Sequence, residues 1–147
     1  MSTEFRIDGL DELMAALRAL PKELASEASA IVERSARTAF NQISANYAGH
    51  NHTGKLERSM KLETERTAFG AIATVKNTDP IAYVFENGSV ARHYITKRNG
   101  VVHVTGSMPP MHAFIPVMSR VRLEQMYPAL KRMLEAHGLE VTGDATA

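Results

Sequence analysis

Six histidines are the residues of this chain whose type could bind a metal ion. His50 and His52 stand two residues apart in one polar stretch, while His93 and His103 stand on either side of an Asn-Gly pair. Zinc needs three or four nitrogen, oxygen or sulfur ligands in a tetrahedral array. Two histidines two residues apart, without a third ligand nearby in the sequence, are a weak signal for such a site. We therefore expect no metal site and no cofactor.

A hydrolytic site is the second chemistry that the residue types allow. Ser59, His52 and either Glu57 or Glu86 have the types of a nucleophile, a base and an orienting acid. No G-x-S-x-G elbow surrounds Ser59, and neither common nucleotide-binding pattern, G-x-x-x-x-G-K-S/T or G-x-G-x-x-G, occurs. The absence of cysteine excludes a cysteine nucleophile, thiolate metal ligands and disulfides. We expect the protein not to be an enzyme.

Composition and charge are those of an ordinary globular protein. The 147 residues are 44% hydrophobic and 22% charged, which is enough for one domain with a core of its own. The formal net charge of +1 contrasts with the strongly basic balance of proteins that bind phosphate backbones. There is no membrane-spanning apolar run of about 18 residues and no signal-peptide pattern at the N-terminus. We therefore expect a cytoplasmic chain with no membrane partner.

Two helices are predicted in the first third of the chain. A stripe at helical spacing, followed by Pro21, predicts a short helix over residues 8–20; its members are Leu10, Leu13, Met14, Leu17 and Leu20. Pro21 also suits the first turn of a second helix, predicted to reach about Asn46, with a loop from Tyr47 to Gly54. The apolar seam of this long helix is narrow and rich in Ala and Ser. Such a seam fits packing on a small sheet, and it also fits contact with a neighbouring subunit.

Two strand pairs are predicted in the middle of the chain. Residues 56–67 and 71–77 have short alternating stretches on either side of a turn at Ala68, Phe69 and Gly70. Residues 92–105 carry β-branched and aromatic residues on both sides of Asn99-Gly100, a dipeptide suited to a type I′ turn. This pattern predicts a β-hairpin with an exposed basic tip.

The last third of the chain predicts one closing helix. Apolar residues recur from Val117 to Leu134, and Gly138 suits the position after a helix C-terminus. Pro128 should kink or split this helix near Met126, because it lacks one backbone donor and crowds the carbonyl four residues earlier. The predicted fold is α+β, with a small antiparallel sheet and an extended β-hairpin packed against a long N-terminal helix and a C-terminal helix. We expect one domain over residues 1–138 and a disordered tail over residues 139–147.

Four short elements occur in a fixed order between residues 7 and 136. They are G-L-D-E-L at residues 9–13; a T-G-x-L-x-x-S element with Thr53, Gly54, Leu56 and Ser59; an element with Ala82, Tyr83, Glu86 and Gly88; and a proline element with Pro109 or Pro110, Phe114 and Pro116. By this ordered set the chain resembles the neck or tail-completion proteins of long-tailed bacteriophages. It departs from that pattern in lacking a proline before Thr53, in the order Ala82-Tyr83, and in having Pro128 inside the last helix.

The resemblance implies a structural virion protein of a tailed bacteriophage or prophage, present in the bacterial host cytoplasm before assembly. It implies a homo-hexameric ring that joins the head connector to the tail tube, with other neck and tail proteins as partners and DNA passing without sequence specificity. Candidate subunit or partner contacts are Thr53, Gly54, Leu56, Tyr83, Glu86, Gly88, Arg92, Lys97, Arg98 and Phe114. Candidate residues lining the DNA passage are Lys97, Arg98, Arg120 and Arg122.

Three questions stay open at the level of the sequence. Glu86 either pins the turn that Gly88 allows, with Tyr83 and Phe85 in the core, or pairs with a basic residue of a neighbour. The basic side of the closing helix fits a solvated face as well as a DNA passage. The alternative function is a small cytoplasmic nucleic-acid or regulatory binding module, whose hairpin tip and closing helix would grip a phosphate backbone.

Overall fold

The described part of the chain consists of a long helix, two antiparallel hairpins and a set of C-terminal helices, so the predicted α+β fold is confirmed. A computed structural model describes residues 22–50, 53–68 and 70–141 of the chain. In chain order the elements are α1 (Lys22–Ala48), α2 (Lys55–Arg58), β1 (Met60–Thr67), β2 (Gly70–Asn77), α3 (Ile81–Asn87), β3 (Arg92–Ile95), β4 (Val102–Thr105), α4 (Ile115–Val121), a π-helical segment (Arg122–Met126) and α5 (Tyr127–Ala136). The helix predicted over residues 8–20 lies outside the described residues.

Helix α1 confirms the predicted long helix and runs two residues further than expected. Its buried positions follow helical spacing along one side, and most are Ala or Ser. The buried hydroxyl of Ser29 donates to the carbonyl of Ala25 at 2.7 Å, so this polar group is satisfied within the helix. Tyr47, which was predicted to open a loop, is helical and almost completely buried.

The larger of two cores lies where the C-terminal half of α1 meets β1, β2 and α4. Strands β1 and β2 pair antiparallel with Leu62 opposite Val75, and these two side chains pack toward the helix. Glu65 and Ile72 are opposite each other on the outer face, and both are exposed. The alternation therefore buries one face of this two-stranded sheet, as expected for strands of period two.

A second core cluster joins the N-terminal half of α1 to α5. Its buried members are Leu24, Ala28, Leu130, Met133 and Leu134. Val141, after the end of α5, packs against this cluster, and the N–H of Leu139 donates to the carbonyl of Leu134. The chain thus remains in contact with the core up to residue 141, and the rest of the predicted tail lies outside the described residues.

The closing helix is split near Met126, as Pro128 predicts. Residues Arg122–Met126 form a π-helical segment, and the N–H of Tyr127 donates to the carbonyl of Arg122 five residues earlier. Because Pro128 has no N–H and its ring crowds the preceding turn, a widened turn just before it relieves the conflict. The helix then continues to Ala136, and Gly138 follows it with a positive φ of 79°.

One detail of the predicted strand region is wrong. Residues 55–58 form the short helix α2 instead of the start of a strand, because Gly54 takes a left-handed conformation at φ 66° and lets the chain turn. This turn directs Leu56 into the larger core. The four strands form two separate two-stranded antiparallel sheets, one per hairpin.

We expect the larger core to tolerate truncation poorly at its centre. Ile43 is fully buried, so Ile43→Ala should lower the free energy of unfolding by roughly 2–5 kcal/mol, as large-to-small core substitutions do. Ile72→Ala is the matched control, because Ile72 is exposed on the outer face of β2, and it should cost less than about 1 kcal/mol. Urea denaturation measures both. Equal losses in the two variants would contradict the assigned register of β1 and β2.

Candidate functional site

The second hairpin stands out from the rest of the protein as an exposed ribbon. Strands β3 and β4 pair antiparallel, with Arg92 opposite Thr105 and Ile95 opposite Val102. All eight strand residues are exposed, although three of them are aliphatic. The predicted hairpin is therefore confirmed, and it contributes none of its strand side chains to a core.

The two faces of this ribbon differ in character. Residues directly opposite each other share a face, so one face carries His93, Ile95, Val102 and Val104. We call these four residues the aliphatic face. The other face carries Arg92, Tyr94, His103 and Thr105, and the rings of Tyr94 and His103 stack with centroids 5.0 Å apart. An amphipathic strand pair normally covers its apolar face, and Val104 is 72% exposed here.

The tip of the hairpin differs from the predicted type I′ turn. The N–H of Thr96 donates to the carbonyl of Val101, which closes a four-residue loop over residues 97–100. Gly100 has a positive φ of 68°, but Asn99 does not, whereas a type I′ turn needs a positive φ at both central residues. The side-chain oxygen of Asn99 instead accepts from the N–H of Val101. Lys97 and Arg98 lie in this loop and are exposed, as predicted.

The root of the hairpin is held by a close backbone approach at Gly88. Ser89 and Met108 form an isolated antiparallel bridge, with hydrogen bonds of 2.8 and 3.0 Å in both directions. Gly88 has a φ of 75°, and a Cβ at this position would lie 2.6 Å from the carbonyl oxygen of Met108. Only glycine fits both conditions. Gly88 therefore allows the chain to leave α3 and enter the hairpin.

Glu86 fastens the hairpin root to the start of α4. Its side chain is buried, and its carboxylate accepts hydrogen bonds from the backbone N–H groups of Phe114 and Ile115, at 3.0 and 3.1 Å. These donors are among those that a helix N-terminus leaves without an intrahelical acceptor, and a carboxylate is favoured there. Glu86 thus pins its own chain, although the helix that it caps follows the hairpin and is not the turn at Gly88.

The phenol of Tyr47 lies in the same buried region. Burial raises the pKa of Tyr47 to about 12, and the nearby negative charge of Glu86 contributes to the rise. Both causes disfavour the phenolate, since an anion in a poorly solvated place near a carboxylate is destabilised. Tyr47 at the end of α1 is therefore kept neutral by its burial and by the charge of Glu86 at the end of α3.

The structure separates the predicted contact residues into buried and exposed sets. Leu56 and Glu86 are buried, Phe114 packs half-buried against the larger core, and their contact with a neighbour stays a prediction. Tyr83 is 74% exposed, so its predicted place in the core is wrong. Phe85 does pack against the core.

Several predicted residues gather at the hairpin root. Glu86, Gly88 and Phe114 come together there, and Arg92 begins β3 just beyond. Thr53 and Gly54 instead stand at the start of α2, where the carbonyl of Thr53 accepts from the Arg58 guanidinium at 2.8 Å. Glu86 and Gly88 thus make contacts within their own chain at the root, and their predicted contact with a partner stays a prediction.

The basic residues proposed to line a DNA passage have different environments. Arg120 is exposed, and its guanidinium donates to the side-chain oxygen of Gln42 at 2.9 Å, so it connects α4 to α1. Arg122 is half-buried, and its Nε is hidden without a hydrogen-bond partner in the described part of the chain. Lys97 and Arg98 at the hairpin tip extend into solvent. Of these four cations, Lys97, Arg98 and Arg120 are exposed and Arg122 is not.

The histidines of the hairpin do not converge. His93 lies on the aliphatic face and His103 on the opposite face, stacked on Tyr94. Within residues 22–50, 53–68 and 70–141, no three His, Asp or Glu side chains are placed to hold one metal ion. Among the helices described, none is both long and apolar enough to cross a membrane.

Sequence reasoning missed the feature that most distinguishes this region. The aliphatic face was not predicted, although the alternation of His93, Ile95, Val102 and Val104 about a four-residue loop was the available signal. Assuming a two-residue turn at Asn99-Gly100 would have paired the strands in another register.

Comparison of the chain with models of protein families, with curated proteins and with solved structures gives no significant match.

We expect Glu86→Ala to destabilise the monomer. The substitution leaves the N–H groups of Phe114 and Ile115 without their acceptor, and each such loss costs about 1–3 kcal/mol. Glu65→Ala removes an exposed carboxylate from β1 and should change stability by less than about 1 kcal/mol. Thermal unfolding by circular dichroism measures both variants. An unchanged melting temperature combined with weaker self-association would instead mean that Glu86 pairs with a neighbouring subunit.

A pair of glycine substitutions tests the hairpin root. Gly88→Ala and Gly100→Ala both place a side chain at positive φ, which costs about 1–2 kcal/mol. Only Gly88→Ala also forces a Cβ against the Met108 carbonyl, so it should destabilise clearly more. Amide hydrogen exchange should show lost protection at Ser89 and Met108 in Gly88→Ala alone. Equal effects of the two variants would refute the close approach.

Proposed function

We propose that this protein is a structural virion subunit of a tailed bacteriophage or prophage, which forms a ring between the head connector and the tail tube. The observation that supports this most is the exposed hairpin of residues 92–105, with its uncovered aliphatic face. The ordered sequence elements that resemble neck and tail-completion proteins point to the same function. In this proposal the hairpin is an assembly arm, and the protein does no chemistry.

The energetics of the hairpin favour a role in assembly. A two-stranded ribbon is marginally stable in water by itself, and each aliphatic side chain left in water forfeits about 1.5–3 kcal/mol that burial would provide. Ile95, Val102 and Val104 all forgo this stabilisation in the monomer. The outer edges of β3 and β4 also offer unpaired backbone groups that another strand can use. A partner that covers the hairpin recovers both contributions.

The hairpin is firmly attached to the rest of the fold at its root, as an assembly arm requires. The Ser89–Met108 bridge, the close approach at Gly88 and the Glu86 carboxylate attach the ribbon to the folded base. A ring built from identical subunits needs two different complementary surfaces on each copy, because its contacts are head-to-tail. In the proposed ring the arm supplies one of these surfaces, and another part of the same chain supplies the other.

A nucleic-acid or regulatory binding module stays the second candidate, because one observation favours it. Residues 89–108 contain Arg92, Lys97 and Arg98 and no Asp or Glu, so the hairpin is locally cationic although the chain is nearly neutral. Such a ribbon could grip a phosphate backbone, with an affinity that falls steeply with salt. The exposed aliphatic face has no use in that contact, which is why we rank this candidate second.

We expect self-association that depends on the aliphatic face. Native mass spectrometry over a concentration series, with negative-stain microscopy, should show closed six-membered rings of the wild-type chain. Val104→Glu places a charge on the aliphatic face and should lower the ring population at a given concentration by about tenfold or more, because burying an unpaired charge is costly. Its melting temperature should stay nearly unchanged, since Val104 is exposed.

Val101→Glu is the matched control for this experiment. Val101 pairs with Thr96 at the end of the same hairpin, and by strand alternation it lies on the opposite face. The variant has the same change in charge and residue type, and it should assemble as the wild type does. Monomers at every concentration that bind DNA with strong salt dependence would overturn the proposal in favour of the binding module.

A further inference from the structure

We propose that the aliphatic face of the hairpin binds the segment 8–20 of a neighbouring copy of this chain. This inference rests on the proposed ring and names the second surface that the ring needs. The segment lies outside the described residues, and its sequence predicts a short amphipathic helix.

The two surfaces are complementary in both polarity and charge. The hairpin offers an exposed aliphatic face, with Lys97 and Arg98 in the tip loop and Arg92 on the opposite face, and residues 89–108 have no carboxylate. The segment 8–20 offers an apolar stripe at helical spacing beside Asp8, Asp11 and Glu12, with Arg18 as its single cation. Its sum of −2 (three acids and one base) opposes the +3 of the hairpin. Two hairpins facing each other would instead bring like charges together.

The length of α1 separates the segment from the hairpin of the same chain. Helix α1 begins at Lys22, whereas the hairpin root is fixed near its other end, where Asn46 donates to the carbonyl of Ala113. The 24 residues between Lys22 and Asn46 span about 36 Å at about 1.5 Å per residue. A helix over residues 8–20 spans only about 20 Å. A neighbouring copy is therefore better placed than the same chain to supply the segment.

The resulting contact has the symmetry that a ring requires. Each copy gives its N-terminal segment to one neighbour and receives another segment on its hairpin, so the interface is head-to-tail. The contact is also small, because the four-residue strands of the hairpin are only about 13 Å long. Two such strands offer far less surface than the roughly 800 Å² per partner that a stable interface buries. One such contact is weak by itself and gains strength when several copies close a ring.

A chain without cysteine allows this weak contact to be trapped covalently. We would mix equal amounts of two single-cysteine variants, Leu13→Cys and Val104→Cys, in a glutathione redox buffer and follow mixed disulfide dimers by non-reducing electrophoresis. The control mixture pairs Leu13→Cys with Ala30→Cys, at an exposed position on α1. The Leu13–Val104 dimer should form about tenfold faster or more, because proximity raises the effective thiol concentration.

A charge-reversed form of the same mixture tests the electrostatic part. Lys97→Glu with Arg98→Glu, introduced into the Val104→Cys variant, should slow the mixed dimer severalfold. Both tip residues are exposed, so the fold should keep its melting temperature. A mixed dimer that forms equally fast with the reversed tip would overturn the assigned charge complementarity.

Other outcomes overturn the contact itself. A mixed dimer that forms no faster than the control, or Val104→Cys homodimers that dominate the mixture, would mean that the segment does not cover the aliphatic face. A dilute double variant that closes an internal disulfide instead would assign the segment to its own chain. If the wild-type chain forms rings in the microscope but the cysteine variants form no mixed dimer, the proposed contact is refuted while the proposed ring is supported. The mixed dimer in open chains supports the contact and refutes the ring.

Discussion

The buried carboxylate of Glu86 is the interaction on which the arrangement of this protein depends. Its hydrogen bonds to the N–H groups of Phe114 and Ile115 join the end of α3 to the start of α4. The hairpin leaves the fold after the first of these helices and returns before the second. The same carboxylate therefore closes the loop from which the hairpin projects, and Gly88 provides the backbone approach that lets the two chain segments meet.

Stability and exposure are divided between the two hairpins. The β1–β2 hairpin packs one face on α1, and Arg66 near its tip pairs with Glu33 of that helix at 2.7 Å, which lowers the pKa of the Glu33 carboxyl. The β3–β4 hairpin has no such support beyond its root from the part of the chain that the structure describes. Ile43 and Tyr47 fill the core beneath the first hairpin, whereas every strand residue of the second hairpin is exposed. The second hairpin is thus available for a partner.

Much of the fold followed from the sequence, because its signals are local. The helical spacing of Leu24, Ala28, Ala39 and Ile43 predicted α1, and the missing N–H of Pro128 predicted the split of the last helix. Parts of the site did not follow from the sequence. The hydrogen bonds from Phe114 and Ile115 to Glu86 join residues that are 28 and 29 positions apart, so they depend on long-range packing. Tyr83 lies in the short helix α3, and the elements that pack against α3 decide which of its sides is buried. The prediction of a type I′ turn at the hairpin tip was wrong because Asn99 does not have a positive φ. Its side-chain oxygen instead accepts a hydrogen bond from the N–H of Val101.

The charge pattern of the second hairpin bears on which partner can cover it. An exposed aliphatic ribbon with free edges invites its own copies to stack face to face. Arg92 near the root and Lys97 and Arg98 at the tip, without any carboxylate in between, oppose that pairing by repulsion at short range. The same cations favour an apolar partner that carries acids. In the ring that we propose, the charge pattern that opposes pairing of two hairpins also favours a different surface as the partner, and a contact between two different surfaces is what would allow identical subunits to close into a ring.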